Sequence, residues 1–281
     1  MITDSQTNKV FLAAGLAHYA EACKNLLQAL SEERIPTAFL PLTESEKHIW
    51  ARDYMPIQLA EDQFLLYDYS PDYLKGYEDY IPEYRLIARQ LCLPCETTSI
   101  VLDGGNVVKC GDKVIMTDKI FKENPDYSRQ ALVGQLEQLL ETEIVIIPRD
   151  GYEMCGHADG MVRYISGNRV LVNNYADLDP YLRKRLLNAL LPHFEVEELA
   201  YGIPGCSKLS WAYLNFLQTK TCLFVPGLNI PEDRLAVEQI RHFYPEYKVI
   251  QIQGCKPIVR EGGALNCISW NILADAAPEE R

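Results

Sequence analysis

The feature that most constrains the fold of this chain is a pattern that recurs five times along its 281 residues. Each time, apolar residues at helical spacing lead into a short apolar strand, then into a loop rich in glycine or polar residues, and strand-like sequence follows. Units of this size cannot bury their own apolar face and therefore stack around a shared core. Five of them predict a closed α/β propeller with pseudo-five-fold symmetry, with sheets around an axis and helices outside.

The predicted elements alternate regularly. The helices are predicted between Tyr19 and Leu30, at about 82–91, between Leu132 and Leu140, from Asp179-Pro180, and from near Pro231. The strands that follow them are predicted at 37–42, 99–102, 144–147, 196–200 and 247–252. No linker or charge run interrupts the units, which predicts one domain over residues 1–281. Residues 67–84, rich in Tyr, Asp and Pro, are predicted to form a long loop that acts as a lid.

Charge and cysteine content exclude several classes of protein. A formal net charge of −12 argues against a nucleic-acid partner, which needs a basic face, and suits a cationic substrate or simple solubility. Residues 1–9 lack the apolar core of a signal peptide, and no run is long enough to span a membrane. Nine cysteines, an odd number, favour reduced thiols. We therefore expect a cytoplasmic protein without a membrane partner; a homo-oligomer is left open.

Common cofactor and metal motifs do not occur in the sequence. It contains no Gly-x-Ser-x-Gly elbow, no phosphate-binding loop and no dinucleotide fingerprint. Cys92 and Cys95 form a single Cys-x-x-Cys at a predicted helix end, whereas redox pairs lie at helix N-termini and zinc sites need a second pair. A structural role is favoured for these two cysteines. We expect no cofactor and no metal.

Five residues are candidates for chemistry, and each has a plain structural alternative. His157 and Asp159 are two apart on a predicted strand, so their side chains point to the same side; a hydrogen-bonded histidine in a turn is an equal alternative. Cys267 follows a glycine pair, although an inert buried cysteine is favoured when it is taken alone. For Asp53 the alternative is a surface ion pair, and for Asp103 a turn aspartate.

These candidates occupy equivalent places in four of the five units. In a five-fold propeller such places converge at one end of the axis, which would bring together one thiol, one imidazole and three carboxylates. Two carboxylates can hold a guanidinium group through charge-assisted hydrogen bonds and leave its central carbon open to a thiolate. The pattern therefore predicts cysteine-based attack on a guanidinium group.

At these residues the chain resembles the guanidine-modifying enzymes of the pentein fold, in particular agmatine deiminases and the bacterial type of peptidylarginine deiminase. The segments that carry the resemblance follow the family's order over nearly the whole chain. They are Trp50-Ala51-Arg52-Asp53-Tyr54-Met55-Pro56, Asp103-Gly104-Gly105-Asn106, Gly156-His157-Ala158-Asp159, Ala212-Tyr213-Leu214-Asn215-Phe216 with Val225-Pro226, and Gly262-Gly263-Ala264-Leu265-Asn266-Cys267.

The resemblance implies a five-bladed pentein propeller and a role for each matching residue. Cys267 would be the nucleophile, His157 the acid and base, and Asp103 the residue that orients His157. Asp53 and Asp159 would bind the guanidinium nitrogens. Trp50, Arg52 and Asn215 would also contact the substrate.

The sequence departs from the family's pattern at several positions. The family usually has glutamate where Asp103 stands, and agmatine deiminases have histidine where Asn266 stands and Thr-Gly where Tyr54-Met55 stands. The chain is also shorter than most agmatine deiminases. These departures leave the chemistry unchanged but leave the substrate open.

The function expected from this resemblance is a deiminase that converts a guanidino group to a ureido group and releases ammonia. Agmatine, giving N-carbamoylputrescine, is the leading small cationic substrate, because Asp68, Asp72, Glu78 and Asp79 of the 67–84 loop could meet its distal ammonium. The alternatives are a peptidylarginine or arginine deiminase, an amidinotransferase, and a non-catalytic binding protein of the same fold.

Overall fold

The structure is a computed structural model that describes residues 1–41 and 48–274. Its strands, in chain order, are β1 Lys9–Leu12, β2 Thr37–Phe39, β3 Ile57–Ala60, β4 Gln63–Asp68, β5 Cys95–Val101, β6 Val108–Cys110, β7 Lys113–Thr117, β8 Glu143–Ile147, β9 Val162–Ser166, β10 Arg169–Val172, β11 Glu195–Glu198, β12 Leu217–Gln218, β13 Cys222–Pro226, β14 Lys248–Ile252 and β15 Ser269–Ile272. Its α-helices are α1 Ala20–Glu32, α2 Ala51–Tyr54, α3 Tyr84–Gln90, α4 Lys119–Glu123, α5 Arg129–Leu140, α6 Tyr175–Leu178, α7 Pro180–Leu190, α8 Asp233–Phe243 and α9 Lys256–Val259.

Within the described residues, the strands form five sheets of three. The strand orders are β15-β1-β2, β3-β4-β5, β6-β7-β8, β9-β10-β11 and β12-β13-β14. In every sheet the middle strand pairs antiparallel with one neighbour and parallel with the other, which it reaches through a helical crossover. The predicted five-fold α/β propeller is confirmed.

The first and last strands share a sheet. β1 pairs with β15 in antiparallel register, with Lys9 opposite Ile272 and Leu12 opposite Ser269. The unit that begins the chain is thus completed by the strand that follows Cys267, so the ring of five sheets closes.

The outer helices form where the sequence predicts them because their caps and apolar faces are locally encoded. The side chain of Asp179 accepts hydrogen bonds from the backbone N–H groups of Tyr181 and Leu182, and Pro180 occupies the first turn of α7. Leu182, Leu186 and Leu190 of that helix, like Leu132, Leu136 and Leu140 of α5, are spaced four apart and buried. Burial of each leucine contributes about 1.5–3 kcal/mol.

Some predicted boundaries change. β2 covers Thr37–Phe39, and Leu42, the predicted end of that strand, lies outside the described residues. β5 begins at Cys95, four residues earlier than predicted, because its exposed start pairs with β4 although it is polar. No helix among the described residues is long and apolar enough to cross a bilayer.

The topology positions the site through one kind of connection. In each unit the chain runs from the parallel edge strand to the first strand of the next sheet. The five connections are β2 to β3, β5 to β6, β8 to β9, β11 to β12, and β14 to β15. They contain, in that order, Asp53, Asp103, His157 with Asp159, Asn215, and Cys267.

Candidate active site

The five connections meet at one end of the propeller axis and build a polar cluster. Cys267, His157, Asp159 and Asn215 line a single cavity of about 590 Å³. Asp103 lies behind His157 and is fully buried. The sequence pattern located candidates in four units, and the resemblance named Asn215 in the remaining one; the structure places Asn215, in the connection between β11 and β12, in the same cluster.

The thiol of Cys267 is held by the unit before it. The side-chain oxygen of Asn215 accepts the backbone N–H groups of Ala264 and Cys267, at 3.1 and 3.3 Å, and so fixes the turn that carries the cysteine. Sγ of Cys267 lies 3.6 Å from Oδ2 of Asp159. Burial raises the pKa of the thiol well above its usual value, and the carboxylates of Asp159 and Asp53 raise it further. In the free protein Cys267 is therefore a thiol that donates to Asp159.

His157 lies between two carboxylates. Its Nε2 is 2.8 Å from Oδ2 of Asp103, and its Nδ1 is 3.5 Å from Oδ1 of Asp53. Burial by itself lowers the pKa of His157, but the charges of Asp53 and Asp103 outweigh it and raise that pKa to about 10. The imidazole is therefore protonated at neutral pH.

Asp103 is in turn supported by a lysine that the sequence analysis missed. Oδ2 of Asp103 accepts from Nζ of Lys119 at 2.5 Å, and Lys119 also pairs with Glu123 one turn along α4. Burial alone raises the pKa of Asp103, but Lys119 and His157 bring it below its usual value. Asp103 thus contacts His157 directly although it is shorter than the glutamate expected from the resemblance. No local signal separates Lys119 and Glu123 from a surface ion pair.

The prediction that His157 and Asp159 lie on a strand is wrong. They lie in a turn before β9, and Gly156, which precedes them, has φ +66°. The carboxylate of Glu153 accepts the backbone N–H groups of Cys155, Gly156 and His157, which stabilises this irregular path. The two side chains still face the same cavity, but the turn and not strand alternation brings them together.

Gly105 links the two guanidinium-binding candidates. Its N–H donates to Oδ1 of Asp53 at 3.1 Å, and its carbonyl accepts the N–H of Asp159 at 3.1 Å. Asp53 is fully buried at this point and, unlike Asp159, does not line the cavity. Burial raises the pKa of Asp53 to about 7, against the lowering effect of His157.

The structure does not support direct substrate contacts for Arg52 and Trp50. Neither lines the cavity. Nη2 of Arg52 donates to Oδ1 of Asn266 at 3.1 Å and to Asn271, and Nη1 lies 3.7 Å from Asp4, so the guanidinium faces the buried axis. The ring of Trp50 packs against Gly263, where it would overlap an added Cβ. Both residues instead support the segment that carries Cys267.

Residues 67–84 do not line the cavity, which gives the predicted lid no support there, although Tyr73 of this segment packs edge-on against His157 with the ring centroids 6.1 Å apart. Among their carboxylates, Asp68 pairs with Arg85 at 3.2 Å and Asp72 with Lys122 at 2.6 Å. The rest of the cavity lining comes from other segments. It comprises Asp150, Tyr152, Glu153, Gly160, Met161, Tyr175, Leu178, Asp179, Pro180, Lys208, Trp211 and Gly262. The lining beyond the catalytic candidates thus includes three carboxyl residues and one lysine.

No group of three or more His, Cys, Asp or Glu side chains in residues 1–41 and 48–274 is arranged to hold a metal ion. All nine cysteines lie in these segments, and none forms a disulfide. Cys92 is exposed and Cys95 partly buried, and the next cysteine along the chain, Cys110, follows 15 residues after Cys95.

A family model described as Porphyromonas-type peptidyl-arginine deiminase matches residues 2–272. A protein of Mycoplasma capricolum that carries the name "Putative agmatine deiminase" is 27% identical over 224 residues, which are 65% of this chain and 61% of that protein. The chain thus spans less than two thirds of the length of this curated relative.

Solved structures share the architecture. The agmatine deiminase of Enterococcus faecalis matches with a TM-score of 0.76 and 19% identity, over 96% of this chain and 94% of that chain. A substrate-bound agmatine deiminase of C. jejuni matches with a TM-score of 0.75 and 15% identity, over 96% and 95% of the two chains. At these identities the likeness shows the fold, and the five-bladed pentein propeller is confirmed.

Proposed function

The chain belongs to the Porphyromonas-type peptidyl-arginine deiminase family, and from this premise we propose that it hydrolyses a guanidino group to a ureido group with release of ammonia. The observation that carries the proposal is one cavity lined by a thiol, an imidazolium and a carboxylate, those of Cys267, His157 and Asp159. Agmatine, giving N-carbamoylputrescine, is the leading substrate.

Substrate binding rests on the carboxylate of Asp159. A guanidinium that enters the cavity can donate two parallel N–H bonds to a carboxylate in charge-assisted geometry. The second carboxylate, Asp53, lies beyond His157 and adds its negative charge to the same region. This arrangement holds the central guanidinium carbon beside Sγ of Cys267, and such orientation contributes several kcal/mol to catalysis.

Binding also generates the nucleophile. The carboxylates that disfavour a thiolate in the free protein become neutralised by the guanidinium charge, so the pKa of Cys267 falls when the substrate arrives. The hydrogen bond from the thiol to Asp159 is replaced by a substrate N–H, and the thiol proton leaves to solvent. The thiolate therefore forms where it can attack.

The reaction then follows two proton transfers through His157. The thiolate adds to the guanidinium carbon, the imidazolium gives its proton to one terminal nitrogen, and the carbon–nitrogen bond breaks to release ammonia. An amidino-thioether on Cys267 remains. Neutral His157 then takes a proton from water, and the hydroxide adds to the carbon. The carbon–sulfur bond breaks to release the thiolate, and the added hydroxyl gives its proton to solvent to leave the ureido product.

Two further parts of the proposal concern the protein as a whole. The sheet shared by β1 and β15 supports a single domain over residues 1–281. The nine cysteines, none of them in a disulfide, support a cytoplasmic location.

The test is release of ammonia and of a ureido product from agmatine, arginine, methylated arginines and a blocked arginine. A haloacetamidine should label Cys267, and Cys267→Ala should lose labelling and turnover. Cys155→Ala is the matched control, because Cys155 lies two residues before His157 in the sequence but does not line the cavity. Label on Cys155, or turnover by Cys267→Ala, would contradict the proposal. A transfer product formed with added amines would identify an amidinotransferase.

A further inference from the structure

Asn266, the residue next to Cys267, connects two charged side chains. It is buried, and its Nδ2 donates to Oδ2 of Asp159 at 2.7 Å. Its Oδ1 accepts from Nη2 of Arg52 at 3.1 Å. Its own backbone N–H is held by the carbonyl of Asn215. Asn266 thus stands between a buried cation and the carboxylate that faces the cavity.

These partners fix the orientation of the Asn266 amide. Arginine has only donors, and an ionised carboxylate only accepts. The amide oxygen must therefore face Arg52 and the amide nitrogen must face Asp159. No other side-chain rotation satisfies both contacts.

Among the described residues, the carboxylate of Asp159 accepts side-chain hydrogen bonds from Asn266 and Cys267 and forms no ion pair. The contact with Cys267 is lost when the thiolate forms, whereas the contact with Asn266 can persist. A neutral amide holds the carboxylate oxygen without cancelling its charge. It also keeps the guanidinium of Arg52 from pairing with Asp159 directly.

We infer that Asn266 is a positioning residue, which fixes Asp159 for a cationic substrate while leaving its negative charge available. This inference rests on the proposed function and extends it to a residue at which the chain departs from the agmatine deiminase pattern. Asn266 acts through Asp159 and does not itself touch the substrate.

Labelling Cys267 with two different reagents distinguishes a positioning role of Asn266 from a general disturbance of the active site. Chloroacetamidine is a cation that Asp159 can bind, whereas iodoacetamide is neutral. In both cases the thiolate forms a sulfur–carbon bond and halide leaves with the bonding electrons. The ratio of the two labelling rates at Cys267 therefore reports how well Asp159 recognises a cation, and a displaced thiol changes both rates together.

The experiment measures this ratio in the wild-type protein and in Asn266→Leu and Asn266→Ala. Leucine is close in volume to asparagine and removes the Nδ2 donor, whereas alanine removes the whole side chain. We expect at least one of the two variants to fold, and thermal unfolding checks this. The ratio should fall roughly tenfold or more, as expected for loss of one hydrogen bond to a charged group. The KM for agmatine should rise more than kcat falls.

Asn271→Ala is the matched control. Its side-chain oxygen accepts from the same Nη2 of Arg52, but its side chain has no contact with Asp159. The ratio should stay at the wild-type value. An unchanged ratio in the Asn266 variants, or an equal fall in Asn271→Ala, would overturn the inference and leave the deiminase proposal standing. Failure of that proposal is distinct, because the wild-type protein would then neither take the amidine label nor release ammonia.

Discussion

Gly105 lies so close to His157 that a Cβ on the glycine would be 2.7 Å from Nδ1 of the imidazole. The same Cβ would be 2.7 Å from Oδ1 of Asp53. Carbon contacts under about 3 Å do not occur in folded proteins, because dispersion attraction is already lost to repulsion there. The carboxylate of Asp53 and the imidazole of His157 can therefore lie 3.5 Å apart only because residue 105 between them has no side chain.

Gly105→Ala should abolish most activity, because the added methyl must displace either His157 or Asp53. A shift of about 1 Å at a reacting group can cost on the order of 100-fold in rate, and we expect a fall in kcat/KM of this size for agmatine. The matched control is Gly134→Ala in α5, where an added Cβ meets no atom within 4 Å. Retention of wild-type kcat/KM by Gly105→Ala would show that the close packing around His157 does not matter to the reaction.

Asp53→Asn should lower the pKa of His157. Burial opposes the protonated ring, and the charge of Asp53 is the first of the contributions that raise its pKa to about 10. Without that carboxylate the ring should lose its proton at lower pH. Nitrogen-15 NMR of the histidine rings measures this, with the signal of His157 identified by its loss in His157→Asn. Asp68→Asn, on the exposed pair with Arg85, should leave the titration unchanged. A wild-type His157 that titrates below pH 7 would contradict the assignment.

The five units were predictable because their signals are local. The spacing of Leu182, Leu186 and Leu190 and the cap at Asp179 lie within one helix, and both determine it without help from the rest of the chain. The candidate site followed from the same regularity, because equivalent connections in a closed ring meet at one end. Pairing of β1 with β15, which closes the ring, has no such local signal.

The expectations that the structure does not support depend on contacts between distant or irregular segments. Arg52 turns inward because its partners Asn266 and Asn271 lie more than 200 residues away. Asp72 of the 67–84 loop pairs with Lys122, 50 residues away, so its carboxylate is engaged there and not at the cavity. The turn at His157 depends on a carboxylate that binds backbone N–H groups, which leaves no periodic pattern in the sequence.

Asp4→Asn should destabilise the protein. Its largely buried carboxylate lies 3.0 Å from Lys109, 3.2 Å from Arg163 and 3.7 Å from Arg52, so the substitution leaves three cations without this counter-charge. Breaking a buried ion pair costs about 3–5 kcal/mol of unfolding free energy. Urea denaturation at pH 7 measures this loss, and Asp112→Asn on the exposed pair with Lys113 should change stability little.

The carboxylate of Asp4 should also make the stability of the fold depend on pH in acid solution. Burial raises the pKa of Asp4, but Lys109, Arg52 and Arg163 together bring it below the ordinary value of 3.8. The unfolded chain then binds the proton more readily than the folded one, so the contribution of Asp4 is present above pH 3.8 and is lost as pH falls below it. Asp4→Asn should lack this part of the acid dependence. An identical acid profile in both proteins would show that the cluster does not stabilise the fold.

Activity should survive removal of metal ions. The proposed chemistry uses one thiol and one imidazole, and the described residues contain no cluster suited to a metal. Dialysis against a strong chelator should therefore leave kcat/KM for agmatine unchanged. Loss of turnover that zinc restores would replace the cysteine mechanism with a metal-assisted one.

Agmatine should be turned over faster than a blocked arginine such as benzoyl-arginine amide. The cavity lining includes three acidic residues, Asp150, Glu153 and Asp179, and one basic residue, Lys208, and this excess of negative charge favours a dication over a neutral peptide-like tail. The measurement is the ratio of kcat/KM for the two substrates. Asp150→Asn should lower this ratio by removing one charge, whereas Asp112→Asn on a distant surface should not. Faster turnover of the blocked arginine by the wild-type protein would reject the small-amine substrate and leave the deiminase chemistry intact.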